Sequence, residues 1–218
     1  LWDSMQQIGY APFAYALPMA RKKLVYTAEF PYHITARSNN KEAFPLGQVY
    51  MWDIFKHELN KQVTSNRLMV HAFVLMLNHY HMIASVIEGS ELGGVTRDIQ
   101  RNTTRTVNSH TGRINHLFGG SYKASLITNP QYYMWAIRYV YRNPVKAGLV
   151  DRVEKYPFST INDQSGIICC SLSTDIGYTA SHEQQIEWYN KEIEPAQYLA
   201  IQKGLRRTVF KPATSRNY

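Results

Sequence analysis

Two β-prone runs lie back to back between Leu68 and Ile87 with one turn residue between them, and this pair constrains the chain more than any other feature. Leu68 to Leu77 is apolar and compact, the pattern of a buried strand. His79 to Ile87 alternates well enough to be the next strand, with Asn78 as the turn residue. Upstream, Pro31 to Arg37 is a short β-prone run that ends on the turn cluster Ser38-Asn39-Asn40. Leu46 to Val63 then carries Val49, Trp52, Ile54, Phe55, Leu59 and Val63 at helical spacing. Downstream, Leu92 to Asn108 is polar with helical charge spacing, and a strand at Tyr122 to Ile127 follows the Gly119-Gly120 break. Pro130 to Asn143 reads as an amphipathic helix with Asn129 as N-cap, Pro130 in its first turn and an end near Pro144. The order strand, helix, strand, strand, helix, strand, with a last helix, predicts an α+β fold with a mainly antiparallel sheet. Beyond Val150 the pattern weakens: Tyr156 to Gly166 is loop-like, His182 to Gly204 is helical, and the end is a basic tail.

Composition narrows the function classes. A hydrophobic content of 44% supports a globular core, and no run approaches the roughly 20 apolar residues of a membrane span. Lys and Arg outnumber Asp and Glu by 24 to 16, a net charge of +8, which favours a polyanionic partner. Cys169 and Cys170 are the only cysteines and are adjacent, so neither a disulfide framework nor a thiolate metal site is expected. No secretory signal pattern opens the chain, and a reducing cytoplasm fits best. Leu1 to Pro18 reads as a leader, an upstream extension or a cloning remnant, with Met19 as a natural start.

His79 and His81 stand two apart on a strand, so they point to one face and can reach one ion together. Imidazole nitrogen suits Mn, Co, Ni or Zn better than Mg. The plainer alternative is a chance pair of half-buried polar residues. In the run Ala136 to Val150, Tyr139 and Asn143 are four apart and share a helical face. A phenol beside an amide that could be a third metal ligand suits attack on a phosphodiester. A free phenol, with a pKa of about 10, needs a cation on the phosphate to react. Proline at 144 pushes Asn143 away from helical geometry. Tyr122, Tyr132 and Tyr141 compete with Tyr139, and any of them could instead pack against the sheet.

His71-Ala-Phe-Val-Leu-Met-Leu-Asn-His-Tyr-His81, followed by Tyr139-Val-Tyr-Arg-Asn-Pro-Val-Lys-Ala-Gly-Leu-Val150, resembles the REP-associated tyrosine transposases of the HUH single-tyrosine superfamily. Tyr32 to Asn40 and Leu117 to Lys123 also look like family segments, and the resemblance spans roughly Met19 to Thr160. It implies a ferredoxin-like antiparallel sheet flanked by helices over residues 19–160, with residues 161–218 a mainly helical extension. It implies further that His79, His81 and Asn143 hold a divalent metal, Mg or Mn. Tyr139 would be the nucleophile that forms a 5′-phosphotyrosine link and releases a 3′-hydroxyl, and the substrate would be single-stranded or hairpin DNA in a bacterial cytoplasm. Related transposases work as monomers or homodimers.

Two positions depart from the family pattern. Leu77 stands where proline is usual, and Ser121 where arginine is usual. They motivate the alternative of a catalytically quiet hairpin-binding regulator. A replication initiator or relaxase ranks third, because the chain has no P-loop. Arg97, Arg101 and Arg105, four apart, form a basic ridge that can follow a phosphate backbone, or simply a solvated helix face. Lys123, Arg138 and Arg142 are further candidate DNA contacts. Lys203, Arg206, Arg207, Lys211 and Arg216 make a second basic element, a clamp or a tail.

Overall fold

The computed structural model describes residues 24–170 and 181–212, so the leader and Arg216 lie outside the described residues. Four strands, β1 (Tyr32–Arg37), β2 (Leu68–Leu75), β3 (His79–Val86) and β4 (Lys123–Leu126), form one sheet in the order β2-β3-β1-β4. Every pairing is antiparallel. With α1 (Gln48–Thr64) between β1 and β2 and α2 (Leu92–Thr111) between β3 and β4, the order and pairing are ferredoxin-like. The hairpin turns through Leu77 and Asn78, closed by Met76 N–H donating to the His79 carbonyl at 2.8 Å.

Alternation along the strands divides the core into two layers. Ile34, Ala36, Phe73, Tyr80 and Met82 face α1 and α2. Ala72, Val74 and Ile83 face α3 (Pro130–Lys146) and the helices that follow it, α4 (His182–Asn190) and α5 (Pro195–Gly204). On α1 the buried stripe is Met51, Trp52, Phe55, Glu58, Leu59 and Gln62. Val49, expected on that stripe, is exposed, because one residue of offset rotates it about 100° away. Glu58 is buried beside Asn102, whose Nδ2 donates to its carboxylate at 2.8 Å and ties α1 to α2. α2 ends on Gly112 at φ +68°, the left-handed geometry that glycine adopts without steric cost.

The start of α3 is as expected: Asn129 accepts from Tyr132 N–H at 3.1 Å and Pro130 follows it. Its end is not. The helix runs through Pro144 to Lys146 instead of stopping before the proline, and Asn143 stays within it. Pro144 has no N–H for the Val140 carbonyl. The Asn143 side chain compensates, donating Nδ2 to the carbonyls of Tyr139 at 2.8 Å and Val140 at 3.4 Å.

The stretch expected to be one helix from His182 to Gly204 is two, broken at residues 191–194, with Pro195 opening α5. A capping box of Ser181 and Gln184 starts α4. Residues after α5 rejoin the sheet beside β4, where Leu126 N–H donates to the Thr208 carbonyl at 2.8 Å and Phe210 N–H to the Leu126 carbonyl at 2.7 Å. Ile201, Leu205 and Phe210 lie in the same apolar cluster as Ile137 and Val140 of α3. No helix among the described residues is long and apolar enough to cross a membrane.

Candidate active site

The sheet face under α3 carries a row of polar side chains where apolar ones would pack more readily. Cross-strand register places His81 opposite Thr35, and Thr35 opposite Lys123, on one face; Arg37 lies opposite His79 at the sheet's end. One step inward, His33 pairs with Ile83 and Ser125. His33 Nε2 and His81 Nδ1 are 2.9 Å apart, a hydrogen bond between rings stacked at 5.2 Å. His79 Nδ1 lies 2.7 Å from Asn78 Oδ1. The His79 and His81 rings meet edge to face at 5.0 Å. Burial pushes His79 down to about 4 and His33 to about 3, with the Arg37 charge a further cause for His79. His81 is driven well below the ordinary imidazole value by burial, then by His33, His79 and Arg37. All three rings are therefore neutral near pH 7.

Tyr139, 5% exposed, closes this row from α3. Its ring stands perpendicular to His81 at 5.7 Å and nearly so to His33 at 6.1 Å. Burial raises its phenol pKa, opposed by hydrogen bonds with Gln202 and Tyr198 of α5 and by the charges of Arg206 and Arg37. The competing tyrosines lie elsewhere. Tyr141 is buried, 3.3 Å from the Thr160 hydroxyl and against Tyr189. Tyr132 packs on Trp135 and Phe210, and Tyr122 lines a cavity beside α2.

Among the described residues no group of three or more His, Cys, Asp or Glu side chains could hold a metal ion. The residues expected to hold a divalent ion are His79 and His81, with the amide oxygen of Asn143 as third. They fit in one respect: both Nδ1 atoms are engaged by Asn78 and His33, which leaves each Nε2 free, the arrangement by which outer hydrogen bonds orient metal-binding imidazoles. The Nδ2 of Asn143 is bound to its own helix, so Oδ1 is its available ligand atom.

Arg97, Arg101 and Arg105 line a cavity of about 780 Å³ together with Asn39, Phe118, Gly119 and Tyr122. The lining depends on close approach at Gly119, where a Cβ would lie 3.2 Å from the Ser38 carbonyl. Arg101 is committed to Asp98 at 3.1 Å, and Asp98 also binds Arg67 at 2.9 Å. Lys123 is exposed at the polar row. Arg138 and Arg142 differ from the expectation of open DNA contacts, because the chain's own backbone holds them. Arg142 donates to the carbonyls of Tyr189 at 3.0 Å and Asn190 at 2.6 Å. Arg138 donates to those of Lys191 and Glu192 and sits 4.8 Å over the Trp188 ring.

Sequence reasoning passed over His33, Arg37, Tyr198 and Gln202 as site residues. The signal for His33 and Arg37 was the odd-numbered alternation His33, Thr35, Arg37 on β1, which shares its face with His79 and His81.

No protein-family model matches this chain. It is similar to the REP-associated tyrosine transposase of Escherichia coli strain K12, with 26% identity over 112 residues, 51% of this chain and 65% of that protein. The chain thus spans slightly under two thirds of the length of that relative. It also shares the fold of a solved structure, a REP-associated tyrosine transposase bound to a REP hairpin. That match has a TM-score of 0.57 and 24% identity, covering 65% of this chain and 82% of the other. The resemblance read from the residues is met in sequence and in fold.

Proposed function

We propose that this chain is a metal-dependent single-stranded DNA endonuclease and strand transferase, transposase-like, which acts at hairpin DNA through a 5′-phosphotyrosine on Tyr139. The observation that carries the reading is the edge-on approach of the Tyr139 ring to His81, on the face where both metal-candidate imidazoles keep a free nitrogen. Tyr139 Oη attacks the phosphorus, and the bond from phosphorus to the 3′ oxygen breaks. The phenol proton ends on that oxygen, leaving a 3′-hydroxyl strand and a 5′-phosphate ester on the protein.

His79, His81 and Asn143 Oδ1 would hold the divalent ion, Mg or Mn, and such an ion supplies polarisation of the scissile phosphate. His33 fixes the orientation of His81, and the buried setting keeps the imidazoles neutral and water away from the phenol. Arg97, Arg101, Arg105 and Lys123 would bind the DNA backbone in this reading. Arg142 joins them only if the end of α4 releases it, and Arg138 only if Lys191 and Glu192 do. The related solved structure holds a REP hairpin, and the net charge of +8 suits such a partner here. The setting this reading expects is a monomer or homodimer in a bacterial cytoplasm.

The test is a gel assay for covalent adducts with labelled palindromic single strands from the chain's own genomic neighbourhood, with Mn or Mg and with chelator. A metal-dependent adduct that disappears in Tyr139→Phe is the expected result. An adduct that survives in Tyr139→Phe removes Tyr139 from the chemistry. The burial of Tyr139 against Tyr198 favours a second reading, a hairpin-binding regulator without catalysis. Metal-dependent nicking of any hairpin rules that reading out.

A further inference from the structure

Two arginines with no protein partner among the described residues flank the polar row and the helix that covers Tyr139. Arg37 ends β1 opposite His79. Strand alternation puts His33, Thr35 and Arg37 on the face that carries His81, while Ile34 and Ala36 pack toward α1 and α2. The row is graded from buried His33, through half-buried Thr35, to exposed Arg37. Thr35 is pinned there by its hydroxyl, which donates to the Tyr80 carbonyl at 2.7 Å.

Arg206 follows α5, whose Tyr198 ring lies 5.2 Å from that of Tyr139; it stands eight residues, about two helical turns, after Tyr198 and is also exposed. The charges of both act on Tyr139, and that of Arg37 acts on His79 and His81 as well. Among the described residues neither guanidinium has a hydrogen bond or ion pair, whereas Arg67, Arg101 and Arg152 are paired with carboxylates. Neither charge is compensated by a carboxylate among the described residues, and both stand beside neutral imidazoles or the helix over the phenol, a setting that suits an anion.

We infer that Arg37 and Arg206 hold the scissile phosphodiester from two sides, through its non-bridging oxygens, while Tyr139 attacks the phosphorus. The inference rests on the Tyr139 reading above and adds the group that binds the reacting phosphate. A guanidinium offers paired donors that match two phosphate oxygens, and it stabilises charge that develops on them as the bond breaks. Asn39, two residues after Arg37, lines the arginine-rich cavity. The C-terminal segment thereby contributes a charge to the reaction as well as a cover for the phenol.

The experiment measures single-turnover adduct formation and equilibrium binding on one hairpin oligonucleotide with Mn. The proteins are the full chain, Arg37→Ala, Arg37→Lys, Arg206→Ala and, as control, Arg113→Ala, an exposed arginine just past α2. The expected result is an adduct rate about 10²-fold lower in Arg37→Ala and in Arg206→Ala, with hairpin affinity near that of the unaltered chain. Arg113→Ala keeps the full rate, Arg37→Lys falls between, and added guanidinium ion restores part of the Arg37→Ala rate. A full or faster rate in either alanine variant overturns the assignment of that arginine, and so does a slow rate that guanidinium leaves unchanged. If the unaltered chain forms no adduct, the Tyr139 reading itself fails. Undiminished arginine variants of an active chain sink this inference alone.

Discussion

The ring of Tyr139 lies against the ring of Tyr198 at 5.2 Å and a tilt of 37°, so the proposed nucleophile meets the last helix before it meets solvent. Removing that ring in Tyr198→Ala relieves the burial that raises the Tyr139 pKa. The expected outcome is a Tyr139 phenol that titrates closer to its ordinary value and an adduct that forms faster. Spectrophotometric titration of Tyr198→Ala, with and without Tyr139→Phe, isolates the phenol. A Tyr139 titration identical to that of the unaltered chain would sink the idea that α5 covers it.

Four buried or half-buried histidines make the fold sensitive to acid. His33 is pushed down to about 3, His71 and His79 to about 4, and His81 well below its ordinary value, all chiefly by burial. Each folded pKa lies below the unfolded value of about 6.5, so the unfolded chain binds more protons below that pH. Their stabilising contribution is fully present above about 6.5 and is lost as pH falls toward 4 and then 3. Thermal unfolding measured from pH 7.5 downward should show Tm falling through this window. His71→Phe, which keeps the ring contact with Tyr133, should flatten the slope by about one proton.

Asn143 and Pro144 act as a unit, since the amide bonds the carbonyl that the proline leaves without a donor. Asn143→Ala should cost about 1 kcal/mol of stability. In a Pro144→Ala background, where the Val140 carbonyl regains a backbone N–H, the same change should cost less. Urea denaturation of the four proteins gives the coupling directly, and strict additivity would contradict the pairing.

Metal binding should depend on groups that never touch the ion. His33→Gln and Asn78→Ala remove the partners of the two Nδ1 atoms. Mn affinity, measured by electron paramagnetic resonance, should fall by about 10- to 100-fold in each. Hairpin binding in chelator should not change, and an unaltered Mn affinity in both would remove these outer groups from the site.

The three arginines of α2 should contribute unequally to DNA binding. Arg101 is shared with Asp98, while Arg97 and Arg105 are exposed. Arg97→Ala and Arg105→Ala should each reduce the salt slope of hairpin binding by about 0.7 to 0.9. Arg101→Ala should reduce it less. Equal effects at all three positions would mean that the ion pair opens freely.

The strands were legible because they alternate or run apolar between turn residues, as at Asn78, and the pairing of β2 with β3 follows from their short connection. What escaped the sequence depended on compensation or on distant contacts. The passage of α3 through Pro144 requires a side-chain bond that no propensity anticipates. The return of Phe210 to the edge of β4 joins residues 84 apart in the chain, Leu126 and Phe210. The pair His79 and His81 was visible as a motif, but His33 was not, since one histidine in an apolar strand reads as packing. Its partner lies 48 residues away, and only the pairing of β1 with β3 brings them together.

Arg142 grips the last two residues of α4, and Arg138 the link that follows, through main-chain carbonyls rather than side chains. Any amino acid supplies a carbonyl there, so selection can change Lys191 and Glu192 without undocking the segment that covers Tyr139. The consequence is an evolutionary asymmetry: in homologues that keep the C-terminal helices, the two arginines should persist while the residues they hold drift. Lineages that shed those helices should lose the arginines with them.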